Sequence, residues 1–234
     1  MRNIFKLSLI ILLFFQACKT EKKDEYNANK NLEKRFSKLL KYQPDSLSFP
    51  RSYSLHKKEI KKVSSKDWTS GFYAGNLWQI YQLTNNSKYK ELARKWTAFI
   101  EKEKFNNRTH DMGFKVYNSF GQGLKHENNQ EYKDIIVKSA RTLTTRFNKT
   151  VGSIRSWDFN KKRWDFPVII DNMMNLELLF EATNISGDST FHKIAVQHAN
   201  TTLKNHFREN NSTWHVLDYN PTNGDVRMRV THQG

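Results

Sequence analysis

Residues 70–103, SGFYAGNLWQIYQLT-NNS-KYKELARKWTAFIEKE, set two kinds of helical pattern side by side. The first segment is apolar on nearly every side, as a helix enclosed by other helices must be. The second carries Lys and Glu along one side and Tyr89, Ala93 and Thr97 along the other. Residues four apart share a helical face, so this second segment predicts a helix with one buried stripe. The polar cluster between them predicts a tight turn. An enclosed helix followed by a half-exposed one is the unit of a double-layered helical array.

The same unit recurs twice. DMGFKVYNSFGQG (111–123) turns through HENNQ into EYKDIIVKSARTLTTRF (131–147). DNMMNLELLFEAT (171–183) turns through NISGDS into TFHKIAVQHANTTLKNHF (190–207). The outer stripes correspond: Tyr132, Ile136 and Ala140 in one, Phe191, Ala195 and Ala199 in the other. A stripe at the same place in three hairpins is an internal repeat, and it predicts a toroid of inner helices ringed by outer ones. Further helix is expected over about Leu32 to Tyr42, stopping before Pro44. A loop is expected from there to about Lys66. TWHVLDYNPTNGDVRMRV (213–230) alternates about an Asn-Pro-Thr-Asn-Gly turn and predicts a small β-hairpin near residues 214–230.

Only 9 Gly and 4 Pro in 234 residues argue for long helices over many short strands. The net charge of +16 would suit any polyanion. Its Lys and Arg residues are spread over outer faces without a nucleic-acid motif, so no nucleic-acid partner is expected. His192, His198 and His206 share a helix, but their spacings of six and eight do not form the i, i+4 pair of a zinc helix. Neither a metal nor a cofactor is expected.

The first eighteen residues, MRNIFKLSLIILLFFQAC, have a basic start, an apolar run too short to span a bilayer, and a small residue before Cys18. Phe15-Gln16-Ala17-Cys18 resembles a bacterial lipobox, with Phe15 where Leu is usual. The expected order is a lipoprotein signal over 1–18, a polar tether over 19–31 and the helical domain over 32–234. Cys18 would carry a lipid anchor that holds the protein in the bacterial cell envelope. It is the only cysteine, so no intramolecular disulfide can form.

Two acids open inner helices, Asp111 in RTHDMGF and Asp171 in VIIDNMM. Asp is a favoured N-cap, and each could simply satisfy helix-end amides. Two indoles, Trp68 and Trp157, lie in the loops ahead of inner helices, where they could be core residues or could stack on sugar rings. If all four meet at one rim, paired carboxylates could do acid/base work on a sugar. A proton donor at Asp171 would need burial, for which Val168 to Ile170 and Met173-Met174 are available.

WTSGFYAGNLW (68–78), THDMGF (109–114), VIIDNMMNLELL (168–179), HVLDYNPTNG (215–224) and THQG (231–234) resemble glycoside hydrolase family 88, the unsaturated glucuronyl hydrolases. The resemblance implies an all-α (α/α)6 toroid of helical hairpins, of which these residues carry roughly the first half. The family continues past THQG into an Arg- and Trp-containing segment and further hairpins, so the domain is expected to be incomplete at its C-terminus. The implied activity is removal of a Δ4,5-unsaturated uronic acid from the non-reducing end of lyase-made acidic oligosaccharides. The implied chemistry is hydration of the C4=C5 vinyl ether. By resemblance, Asp171 is the general acid/base and Asp111 the second essential carboxylate. Trp68 and Trp157 are stacking residues, and His215 and Gln233 contact the sugar near the reacting carbons. The alternatives are the related unsaturated rhamnogalacturonyl hydrolases, with a similar barrel and chemistry, and, from a different class, a non-catalytic glycan-capturing lipoprotein.

Overall fold

A computed structural model describes residues 30–38, 40 and 42–232. The lipobox with Cys18, most of the tether, and Gln233 of THQG lie outside the described residues.

The chain enters on a short helix, α1 (residues 30–36). It is shorter than the apolar periodicity predicts. The Ser37 hydroxyl donates to the Lys34 carbonyl at 2.8 Å, a local bond that competes with the next helical turn. The loop expected up to Lys66 instead contains a two-stranded hairpin, β1 (Phe49–Ser54) paired with β2 (Glu59–Val63). Its alternation is hidden because β1 buries fully only Phe49, which packs edge-on against Trp96 at 5.4 Å. The hairpin turn places Lys58 at φ 53°, where a sequence reader would look for Gly or Asn.

Three helical hairpins follow, as the repeat predicts. In the first, a 3₁₀ turn (Trp68–Gly71) leads into α2 (Phe72–Thr84), which packs on α3 (Ser87–Ala98). In the second, α4 joins a π-helix (Gly113–Gly121) to an α-turn (Gln122–Leu124) and precedes α5 (Gln130–Thr144). Between the second and third lie β3 (Phe147–Asn148), β4 (Ser153–Ile154) and β5 (Pro167–Ile169). In the third hairpin, α6 opens as a 3₁₀ turn (Ile170–Leu176), continues as α-helix (Glu177–Ser186) and is backed by α7 (Ser189–His206).

The polar clusters between partners act as caps. Asn86, Asn129 and Asp188 accept first-turn amides of the three outer helices at 3.0–3.2 Å. Asn85 and Gly187 close the preceding helices in the left-handed conformation. All three outer stripes face inward, and the nine stripe residues are buried or packed against the core.

The inner helices approach closely where they begin. A Cβ on Gly71 would stand 2.2 Å from the Lys115 carbonyl oxygen, and one on Gly113 would stand 2.6 Å from the Asn175 Cα. Only glycine lets these three starts converge. Phe114 N–H donates to the Asn175 side chain at 2.9 Å and locks the second start to the third.

The hairpin expected near 214–230 is present as β6 (Val216–Tyr219) and β7 (Val226–Val230), with Gly224 at φ 82° in its turn. It gains a third strand, because β5 pairs antiparallel with β6 through Val168 and Leu217. Asp218, fully buried in β6, accepts the amides of Asp165 and Phe166 and pairs with Arg227.

Candidate active site

β5 is the lever that positions the site. Its neighbour β6 holds it in register, and the Ile170 amide donates to the His215 carbonyl at 2.9 Å. The chain then turns into α6, and Asp171 emerges at the helix mouth. From the other side, the Ser156 amide donates to the Pro167 carbonyl, and the Ser156 hydroxyl accepts the Ile169 amide at 2.9 Å. The loop carrying Trp157 is thus sewn to the strand that delivers Asp171.

Neither acid is a helix cap. The first turn of α6 has Ile169 at its cap position, and no side chain caps either α4 or α6. Asp111 Oδ2 instead accepts the Thr109 hydroxyl at 2.6 Å. One oxygen of each acid converges on a single imidazole. His110 Nε2 lies 3.0 Å from Asp171 Oδ1 and 3.2 Å from Asp111 Oδ1. Its Nδ1 lies 2.8 Å from the Ser156 carbonyl oxygen, which can only accept, so Nδ1 carries a hydrogen. With Nδ1 protonated, Nε2 needs a second proton, either its own or one from a neighbouring acid, to bond both carboxylates. Burial pushes the His110 pKa down, but the hydrogen bond its ring donates to Asp171 and the charges of Asp111 and Asp171 outweigh it, so its pKa is raised above 6.5.

A raised histidine pKa stabilises the fold when the ring is charged. The contribution is fully present below 6.5 and is lost as pH rises through the higher folded value. The expected result is a Tm advantage of wild type over His110→Gln that shrinks between pH 6 and pH 9. A constant difference across that range would remove the charged histidine from the cluster.

The cluster forms the floor of a cavity of about 570 Å³. Trp68 and Trp157 both line it, together with Arg108, Asp158, Phe159 and His232. Trp68 is half-exposed and packs against Phe114 with ring centroids 5.7 Å apart. Trp157 is 9% exposed, with Phe159 and His232 stacked against its ring at 5.3 and 5.4 Å. Phe159, 57% exposed, is the open aromatic surface of that wall. His215 does not line the cavity; its Nδ1 accepts the His232 amide at 3.2 Å and so steadies a residue that does. Met173 and Met174, available in sequence to shelter Asp171, line a neighbouring cavity instead. The Asp171 side chain remains 43% exposed to the cavity.

Asp158 is a third carboxylate at the mouth. Burial pushes its pKa up, but the forked hydrogen bond from Arg146 (2.8 and 3.2 Å) and the charges of Arg146 and Arg155 hold it below the usual carboxylate range. It is therefore a fixed anion, not a donor. Sequence reasoning passed over His110, Asp158, Phe159 and His232. His110 and His232 sat inside the quoted motifs THDMGF and THQG, but nothing in a linear pattern shows that one imidazole spans two acids sixty residues apart. Among the described residues, no group of three His, Cys, Asp or Glu side chains is arranged to hold a metal ion.

Inner helices backed by outer ones, with the site at their converging starts, define a helical toroid. The relatives agree and narrow it. The whole chain aligns at 58% identity, over 244 positions, with 61% of an unsaturated glucuronyl hydrolase from Formosa agariphila. An unsaturated chondroitin disaccharide hydrolase from Streptococcus pneumoniae is 29% identical over 74% of this chain and 44% of its own length. The crystal structure of an unsaturated glucuronyl hydrolase specific for heparin matches with a TM-score of 0.84 at 36% identity, covering 90% of this chain and 56% of that one. The crystal structure of an unsaturated glucuronyl hydrolase from Bacillus sp. GL1 matches with a TM-score of 0.72 at 26% identity, covering 90% of this chain and 54% of that one. No protein-family model matches the chain. The chain is homologous to the unsaturated glucuronyl hydrolases of glycoside hydrolase family 88, and it matches between 44% and 61% of the length of these relatives.

Proposed function

We propose that these residues build the acid/base half of an unsaturated glucuronyl hydrolase site. Its substrate is an oligosaccharide ending in a Δ4,5-unsaturated uronic acid. The observation that carries the reading is the Asp111–His110–Asp171 cluster on the floor of an aromatic-walled cavity.

In the proposed reaction Asp171 gives a proton to C4 of the vinyl ether. Positive charge develops at C5 and on the ring oxygen, and the anionic cluster stabilises it. Water adds at C5 and returns its proton to Asp171, so the acid is restored. The hemiketal at C5 opens to a ketone, which frees the ring oxygen as a hydroxyl on C1. That carbon is now a hemiacetal and expels the sugar it carried. His110 acts as a positioning residue: held by Ser156, it keeps the two carboxylates apart at fixed orientation and can pass a proton between them. Asp111, tied to Thr109, orients the sugar. Trp68 and Phe159 supply the apolar faces on which the ring stacks.

The test is spectrophotometric. The chain is incubated with unsaturated disaccharides while the ultraviolet absorbance of the conjugated C4=C5 bond is followed. Absorbance should fall with this chain, or with any longer open frame containing it, and should persist with Asp171→Asn. Binding without absorbance loss in either form would favour glycan capture over catalysis.

We place the protein at the bacterial cell envelope, anchored through Cys18, because the basic start, apolar run and lipobox-like Phe15-Gln16-Ala17-Cys18 stand in the right order. Cys18→Ser should move the protein from the membrane fraction to the soluble fraction on cell fractionation. Unchanged membrane retention would remove the anchor.

A further inference from the structure

Helix α7 carries two imidazoles that the proposed reaction does not touch. His198 and His206 are both wholly buried, although α7 is an outer helix. A polar side chain so placed needs a partner, and each ring finds one in the backbone of a strand that leads to the acids. His198 Nδ1 accepts the Ile154 amide of β4 at 3.0 Å. His206 Nε2 lies 3.2 Å from the Val168 carbonyl oxygen of β5, the strand that delivers Asp171.

One ring is an acceptor and the other a donor. A nitrogen that accepts carries no hydrogen, so His198 Nδ1 is bare. A carbonyl can only accept, so His206 Nε2 carries a hydrogen. Burial, and then the charges of His206 and His110, hold the His198 pKa down at about 3. Burial also lowers that of His206, against the hydrogen bond to Val168 and with the help of the Arg229 charge. Both rings are neutral in these forms near pH 7.

From Ile154 the link runs to both ends of the acid cluster. The Ile154 carbonyl accepts Asn172 Nδ2 at 2.9 Å, and Asn172 follows Asp171 directly. Along the chain from Ile154, the Ser156 carbonyl holds His110 Nδ1 at 2.8 Å and the Ser156 hydroxyl takes the Ile169 amide at 2.9 Å. Ile154, Val168 and Asn172 are wholly buried, so bulk water does not replace a lost partner there.

We infer that His198 and His206 are positioning residues, which fix β4 and β5 against α7 and so set where His110 and Asp171 stand. The inference rests on the proposed function for what the acids do, and on these hydrogen bonds for how they are held.

The test replaces each histidine twice, once keeping the bonding atom and once removing it. His198→Asn keeps an acceptor at the δ position though it is smaller; His198→Leu fills the space and leaves the Ile154 amide unbonded. His206→Gln keeps a donor at the ε position; His206→Met does not. The His110 titration is followed by proton NMR on the full chain, its resonance identified by its loss in His110→Gln. In His198→Leu and His206→Met the His110 pKa should fall toward 6.5, because the ring loses its fixed place between Ser156 and the acids. Turnover of an unsaturated disaccharide should fall by about tenfold to a hundredfold in kcat with KM nearly unchanged, as a small misplacement of catalytic groups costs. His198→Asn and His206→Gln should stay near wild type in both readouts. So should His192→Gln, exposed on the same helix. A His110 titration that is the same in every variant would overturn the inference. So would equal changes within each pair, which would make the rings space-fillers. The two sites keep the test decisive when one variant does not fold. Turnover is read separately: a chain without it whose His110 titration follows the bonding atoms keeps the inference on placement and loses the hydrolase reading. Turnover in wild type with an unmoved titration does the reverse.

Discussion

Asp171→Asn is expected to lower turnover of an unsaturated disaccharide by at least 10²- to 10⁴-fold, the usual contribution of a general acid. The amide is nearly isosteric and can still accept from His110 Nε2, which lies 3.0 Å from Asp171 Oδ1. It cannot deliver a proton to C4 or take one from water. Folding should be nearly unaffected, because Asp171 caps no helix and its side chain is 43% exposed. Binding should survive, since the stacking walls and Asp111 remain. The measurement is kcat by absorbance loss alongside calorimetric affinity. Wild-type kcat in the variant would assign the proton to another group. Parallel loss of affinity and stability would make Asp171 a structural residue.

Lys115→Ala should be the most damaging change to the fold, costing about 3–5 kcal/mol, the range for breaking a buried ion pair on one side. The Lys115 side chain is wholly buried, and its Nζ stands 3.2 Å from Glu103 Oε2. Glu103 Oε1 takes the Ser65 hydroxyl at 2.7 Å and Oε2 the Asn106 amide at 2.7 Å. This network ties α4 to the segment after α3 and to the loop before α2. Removing the ammonium leaves a carboxylate in the core with too few partners. Lys115→Met/Glu103→Gln should recover more than half of the loss, because the stranded charge goes with its partner. Urea unfolding of both variants checks this, and equal loss in the two would show that the stranded Glu103 charge is not what destabilises Lys115→Ala. The pair also has an acid limit. Burial pushes the Glu103 carboxyl up, but Lys115 and the hydrogen bonds hold its pKa below 4.5. Its contribution is therefore present above 4.5 and lost as pH falls through the lower folded value.

Much of the toroid was legible because its cause is local. A helix enclosed on all sides must be apolar all round, and an outer helix must alternate faces, so three enclosed-and-outer pairs could be read by eye. The outer stripes fell where they were expected, and the turn residues proved to be caps. The β1–β2 hairpin was not legible. A strand pair that buries mainly Phe49 and shows lysines elsewhere carries no period-2 signal. The π-helical form of α4 also left no trace in the pattern, since a run of apolar residues does not reveal which carbonyl each amide meets.

The site divides in the same way. From sequence alone came the residues with distinctive local settings: two acids at helix starts and two indoles in the loops before them. The tertiary structure alone decided what those acids are. Whether an Asp is a cap depends on where its oxygens point, and here they turn from the helix amides toward His110. That imidazole joins Asp111 and Asp171 only because Gly71 and Gly113 let three inner helices begin in contact and β6 holds β5 in place behind them. Periodicity records which face of an element is buried. It does not record which elements meet, because contacts between distant segments are set by the packing of the whole core.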